Sequence, residues 1–201
     1  MDTETEVSVR LKPLGLDDIP RIAEWFWDFE DVALFDRTLP VPINADAMRE
    51  SWRASLEYAA SPRAYWFIAE DADQTPLGVA GLESVNYIQG DAVVPAFVAK
   101  NSRGSGLATA MLAGLIDLAF DQLRLHRLTT FYREDNGASR HTLEKVGFVE
   151  EGRFREGWFA DGLRRDVVIV GLLRSEWAER RAEVVKALEA PGKVSLTSVT
   201  R

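Results

Sequence analysis

The chain has 201 residues, 46% of them hydrophobic and 28% charged, with 32 acidic against 24 basic side chains and a formal net charge of −8. That composition suits a single α/β-sized domain with a full core and excludes disordered, collagen-like and bare coiled-coil classes. Zero cysteines and two histidines, His126 and His141, far apart in sequence, exclude disulfides and thiolate catalysis and predict no metal centre.

The elements follow in chain order. Val7 to Leu11 alternates with period two, the mark of a half-buried strand, and Pro13 is expected to close it. Asp17 stands where an N-cap belongs, ahead of Ile19, Ile22, Ala23 and Phe26 at helical spacing. Met48, Trp52, Leu56 and Ala59 predict a second helix ended by Ser61-Pro62. Tyr65–Ala69, Leu77–Val85 and Ala92–Ala99 then read as three strands of an antiparallel meander, turned at Asp71–Gln74 and Gln89–Asp91. A helix from about Gly106 to Leu123, a strand over Arg127–Tyr132 and a shorter helix ending at Val146 come next. Strand pieces near Phe148–Arg155 and Arg165–Leu173 precede a last helix over Ser175–Ala190, whose Trp177, Val184 and Leu188 are expected to pack within the monomer. The pattern predicts a mixed α/β domain on one sheet over residues 1–190, with 191–201 as a polar tail.

Charge is uneven along the chain. Residues 1–50 carry twelve acids and five bases, whereas 101–150 carry six of each. Without a basic stripe, general nucleic-acid binding is disfavoured. No uncharged apolar run approaches the ~20 residues of a membrane helix, and the acidic Met1–Val7 is unlike an export signal, so a cytoplasmic location is expected.

The stretch from Ala92 to Ala110 carries the chemistry: an apolar strand, Lys100-Asn101-Ser102, the turn Arg103-Gly104-Ser105-Gly106-Leu107-Ala108-Thr109, and an amphipathic helix. Glycines let backbone approach a ligand, and the first helical turn offers unpaired N–H groups at the positive end of the helix dipole. This is an anion-binding turn, although a glycine-rich connection without a ligand has the same form. A P-loop lacks its Gly-Lys-Ser/Thr ending here. A dinucleotide fingerprint would need a third glycine where Thr109 stands, despite Asp121 at a suitable distance, and would open its domain rather than follow a meander.

Arg103-x-x-Gly106-x-Ala108 after a strand, then Asn136-Gly-Ala-Ser139, Leu143-Glu-Lys-Val-Gly147-Phe148, Glu151-Gly152, Arg155-Glu156, Asp161-Gly162 and Asp166, resembles the GNAT superfamily of N-acetyltransferases, with its RimJ/RimL-type branch most similar. The resemblance spans roughly Val9 to Trp177. It implies a seven-stranded mixed sheet flanked by helices, with acetyl-CoA in the V between the family's fourth and fifth strands, here Ala92–Ala99 and Arg127–Tyr132. It further implies that Arg103, Gly104, Ser105, Gly106, Leu107 and Ala108 bind the pyrophosphate, that Phe97 and Val98 pair with the pantetheine arm, and that Asn136 holds it. Where many members have a general-acid tyrosine this chain has Leu143, so Ser139 becomes the candidate proton donor to the leaving thiolate, or else only part of the helix start. A frequent strand glutamate is also missing. Glu83 on the adjacent strand is the candidate base, with Asp91 and Glu156 as no better substitutes, and His141 is expected at the surface.

The implied reaction is acetyl transfer to a primary amine by direct attack. Neutralising a lysine-like amine at pH 7 costs about 4 to 5 kcal/mol, and an α-amine only about 1 kcal/mol. In this family the N-terminal helices wall the acceptor site, so Asp28, Glu30, Asp31 and Asp36, interleaved with Trp25, Trp27, Phe29 and Phe35, predict a cationic acceptor: a protein N-terminus, a small amine or a polyamine. Trp158 and Phe159 are expected in a loop between strands. The competing reading is a non-catalytic acyl-CoA-binding sensor or interaction module on the same fold, monomeric or homodimeric.

Overall fold

A computed structural model describes residues 8–35, 37, 42–57, 63–188 and 195–196. Within them the strands are β1 (Ser8–Pro13), β2 (Tyr65–Glu70), β3 (Pro76–Asn86), β4 (Asp91–Val93), β5 (Ala96–Val98), β6 (Arg127–Arg133), β7 (Val149–Ala160), β8 (Leu163–Leu173) and β9 (Ser195–Leu196). They form one mixed sheet in the order β7-β8-β6-β4-β3-β2-β1-β9, with β5 paired to β3 beside β4. The pairs are antiparallel except β4 with β6 and β1 with β9. The strand expected over Ala92–Ala99 is therefore two pieces, and Ser195–Leu196, inside the expected tail, adds a strand alongside Ser8 and Val9.

Among the described residues, period-two alternation sorts most of the sheet's side chains into two main cores, with a third, small cluster of Ala33, Trp158, Ala160 and Val167. Phe67, Ala69, Ala80, Leu82 and Leu128 face one side with α4 (Leu107–Asp117), α5 (Gly137–Lys145) and α6 (Arg174–Leu188). Trp66, Ile68, Val79 and Phe97 face the other side with α1 (Ile19–Ile22), α2 (Phe29–Phe35) and α3 (Ala45–Leu56). Burial of these apolar faces on both sides of a sheet is the main stabilising term.

Several local expectations are corrected. Asp17 is not a cap: it pairs with Arg49 on α3 at 2.7 Å, while the first helix starts at Ile19 after Asp18 and turns into a 3-10 segment at Ala23–Phe26. Pro20 near its start and the two short turns reflect packing overriding the helical period. Pro13 belongs to β1, in register with Phe67. Helix α2 had no periodic signal in its seven residues. Trp158 and Phe159 lie within β7, and the connecting turn is Asp161-Gly162, both at positive φ. The second helix is seen to Leu56; Ala59, Ser61 and Pro62 lie outside the described residues.

The last helix packs within the monomer as expected. Trp177 and Val184 are buried, Leu188 packs on them, and Asp117 on α4 accepts from Trp177 Nε1 at 2.8 Å and from both Nε and Nη2 of Arg181. No helix among the described residues is long and apolar enough to cross a membrane. Asp117→Ala would leave the buried indole N–H without its acceptor; a loss of about 1–3 kcal/mol in urea unfolding is expected, with little change if Arg181 alone is replaced by Ala.

Candidate functional site

The sheet opens at one point. Val94 N–H donates to Thr129 O at 2.9 Å, the last bond joining the β4 side to β6. Pro95 follows, and by strand alternation it belongs to the other ladder, its carbonyl accepting from Gly81 N–H at 3.0 Å on β3. From there β5 stays with β3 alone. The result is a V whose floor is Val94 and Thr129.

Backbone alternation decides which groups face the V. Pro95 and Ala99 bond to β3 through Gly81 and Leu77, and Phe97 is in register with Val79 between them. Ala96 and Val98 therefore turn their peptide groups away from β3. Of the two residues expected to pair with a pantetheine arm, Val98 has that orientation. Phe97 instead anchors an aromatic cluster, with ring centroids 4.8 Å from Phe26, 5.3 Å from Phe35 and 6.1 Å from Trp25.

Past β5 the chain makes the anion-binding turn. Gly104 and Gly106 have φ of +80° and +91°, a region that other L-residues adopt only with strain. A Cβ at Gly104 would meet nothing within 4 Å, so the loop faces open space. Ser105 Oγ donates to Ser102 O at 2.7 Å and accepts from Leu107 N–H at 3.3 Å. Gly106, the N-cap of α4, offers no side-chain cap, and the first intrahelical bond goes from Ala110 N–H to its carbonyl. The amides of Ala108 and Thr109 are left at the positive end of an eleven-residue helix. Leu107 is buried and fixes the helix on the sheet.

Arg103 does not point its fork outward. Nη1 and Nη2 bind the two oxygens of Asp31 at 2.8 and 2.9 Å, Nε donates to Val98 O at 3.1 Å, and the guanidinium lies 5.5 Å from the Phe97 ring centroid. Three residues earlier in both segments, Lys100 Nζ meets Asp28 Oδ2 at 3.0 Å. The hydrogen bond to Lys100 holds the Asp28 carboxyl below the usual range, and the same bond raises the Lys100 ammonium. Two of the four acids expected to attract an acceptor are thus satisfied by cofactor-loop cations. Glu30 is exposed at the start of α2, and Asp36 lies outside the described residues. No spacing rule in the sequence links position 31 to position 103, and only the fold brings them together.

Across the V, Asn136 caps α5, its Oδ1 accepting from Ser139 N–H at 3.0 Å. The Asn136 amide donors and the half-buried Ser139 hydroxyl sit together on that first turn. Glu83, in register with Val93 beside the V, accepts from Trp66 Nε1 at 3.2 Å on the face of α1 and α3. Asp91 begins β4 in register with Asn86 and Arg127, away from the open end. Glu156 sits at positive φ in a β7 irregularity, its N–H bound to Asp166 Oδ1. Leu143 is buried in the core, and His141 is exposed. Trp158, 1% exposed, donates Nε1 to Ala33 O at 2.8 Å and so props α2 from below. No group of three or more metal-ligating side chains occurs among the described residues.

Comparison with known proteins agrees with this geometry. The "Acetyltransferase (GNAT) domain" family model matches residues 8–149. The chain is 29% identical over 181 residues to "Putative ribosomal N-acetyltransferase YdaF" of Bacillus subtilis, covering 87% of this chain and 90% of that one. It is 32% identical over 135 residues to a spermidine N(1)-acetyltransferase of Vibrio cholerae, covering 67% of this chain and 76% of the relative. The crystal structure of a Vibrio cholerae spermidine N-acetyltransferase in complex with CoA and spermine superposes with a TM-score of 0.76 at 25% identity, over 85% of this chain and 98% of that one. A splayed strand, a glycine turn on a helix N-terminus and a family match over most of the length lead to one assignment: the chain belongs to the GNAT family of N-acetyltransferases.

Proposed function

We propose that the protein transfers an acetyl group from acetyl-CoA to the α-amine of a polypeptide N-terminus, in the manner of the RimJ/RimL-like branch, in the cytoplasm. The carrying observation is the V between β5 and β6, opened at Pro95 and flanked by the amides of the 103–108 turn. The residues fit a CoA-type ligand. Gly104, Ser105, Gly106, Leu107 and Ala108 give a concave backbone for the diphosphate, with Arg103 fixing the loop from behind. Val98 offers its N–H to an extended amide-bearing arm, its carbonyl being held by Arg103 Nε, and the Asn136 amide nitrogen stands on the opposite wall.

The thioester supplies an activated acyl carbon: as the amine nitrogen bonds to it the C–S bond breaks, and the proton shed by nitrogen balances the one taken by sulfur. Val98 N–H polarises the carbonyl oxygen in this reading, Ser139 Oγ gives the proton to sulfur, and Glu83 takes the proton from the amine directly or through water. Holding both reactants in one cleft supplies most of the rate.

The acceptor class rests on charge and pKa. With Asp28 and Asp31 engaged by Lys100 and Arg103, the wall next to the V is aromatic, formed by Trp25, Phe26 and Phe35 around Phe97. An amine that is partly neutral at pH 7 suits such a wall better than a fully charged polyamine. The second reading, a polyamine acceptor, is favoured by the net charge of −8 and by the likeness to the spermine-bound neighbour.

Two measurements check this. Acetyl-CoA at about 100 times its dissociation constant should stabilise the protein by about 2.7 kcal/mol; Gly104→Asp, which has room for its side chain but costs about 1–2 kcal/mol at this left-handed φ and places a carboxylate on the loop, should melt lower but still fold, and should lose that shift. In an acceptor panel, N-terminal peptides should be acetylated with kcat/KM rising to a plateau near the α-amine pKa of about 8. A rate that appears only with spermidine and climbs toward about pH 10 would select the second reading.

A further inference from the structure

The two ion pairs between α2 and the cofactor loop form a ladder. Asp28, just before α2, and Asp31, within it, meet Lys100 and Arg103, three residues apart on the loop. Asp28 has a double role: Oδ1 accepts from the N–H groups of Glu30 and Asp31 at 3.0 and 3.2 Å, starting the helix, while Oδ2 holds Lys100. Asp31 is 8% exposed, and its bidentate geometry is the strong form of a carboxylate–guanidinium contact. The relay then runs on through Arg103 Nε to the carbonyl of Val98, the residue that faces the V.

Helix α2 depends on such attachments. Seven residues are too few for a helix to persist alone. Its other ties are Val32 and Phe35 in the second core and the carbonyl of Ala33 on Trp158. The loop in turn has two glycines at positive φ and open space above Gly104, so its rigidity depends on what fills that space.

We propose that Asp31 and Asp28 are positioning residues that transmit occupancy of the CoA loop to α2, so that an occupied loop orders that helix. An anion seated on the amides of residues 104–108 fixes the loop, the fixed loop immobilises Arg103 and Lys100, and the two carboxylates carry that order into α2. The coupling is one of conformational freedom, which lets two sites cooperate without a large displacement. Asp31 carries the larger share because its contact is two-pronged and part-buried on the carboxylate side, whereas Asp28 and Lys100 are both exposed.

The inference rests on the CoA reading of the loop, and hydrogen exchange read by mass spectrometry separates the two. CoA is the probe, added to wild type, Asp31→Asn, Asp28→Asn and the double variant, with thermal melts showing each to be folded. In wild type CoA should slow exchange both in 103–108 and in 29–35, by about fivefold or more. In Asp31→Asn the slowing in 103–108 should remain and that in 29–35 should fall to near none, with Asp28→Asn in between. A helix merely weakened by substitution would exchange faster with and without CoA alike, leaving the ratio unchanged. Slowing in neither segment of wild type overturns the loop reading. Slowing in the loop alone, or equal slowing of 29–35 in wild type and the double variant, overturns the coupling and leaves the loop reading intact.

Discussion

The sheet parts after Val94, and most of the site follows from that. Val94 N–H is the last group bonded to β6, and from Pro95, whose carbonyl is turned to Gly81, the chain stays with β3. An ordinary sheet would have closed, and the amides of Ala96 and Val98 would have been consumed by a neighbour. Instead one edge of a central strand is exposed inside the molecule, where a ligand with its own amides can complete it.

The turn that follows is the second part of the same device. Strand β5 ends at Val98, the chain makes a short 3-10 turn, and two left-handed glycines deliver it to the start of α4. Leu107, Ala110 and Met111 are buried on the sheet, so the helix axis is fixed and its amide end stays at the mouth of the V. An anion site and a peptide-pairing edge, about one loop apart, match a ligand with a diphosphate at one end and amides along its arm.

Charge in this molecule is local rather than global. A net charge of −8 suggests a surface that attracts cations, yet Asp28 and Asp31 are engaged by Lys100 and Arg103. Arg103 lies in the charge-balanced stretch 101–150, and Lys100 directly precedes it. The same carboxylates thus join α2 and the residue before it to the 100–103 segment, and a field inferred from composition overstates the free negative charge there.

The sequence alone determined the fold class, the meander and the turn at residues 103–109 with its helix, because each is a short-range pattern: period two, period 3.6, or glycines in a tight turn; that Asn136 caps α5 onto Ser139 N–H came from the structure. The family resemblance was legible for the same reason, its motifs being contiguous and ordered. What it misplaced were elements whose form depends on partners: the first helix broken into two short turns, the unannounced α2, the strand containing Trp158, and Ser195–Leu196 returning to β1. Only the tertiary structure decided that Phe97 turns into the core while Val98 faces the V, and that Arg103 grips Asp31. Contacts between residues 72 positions apart have no periodic signature, and their energy exists only once the sheet and the helices have brought them within reach.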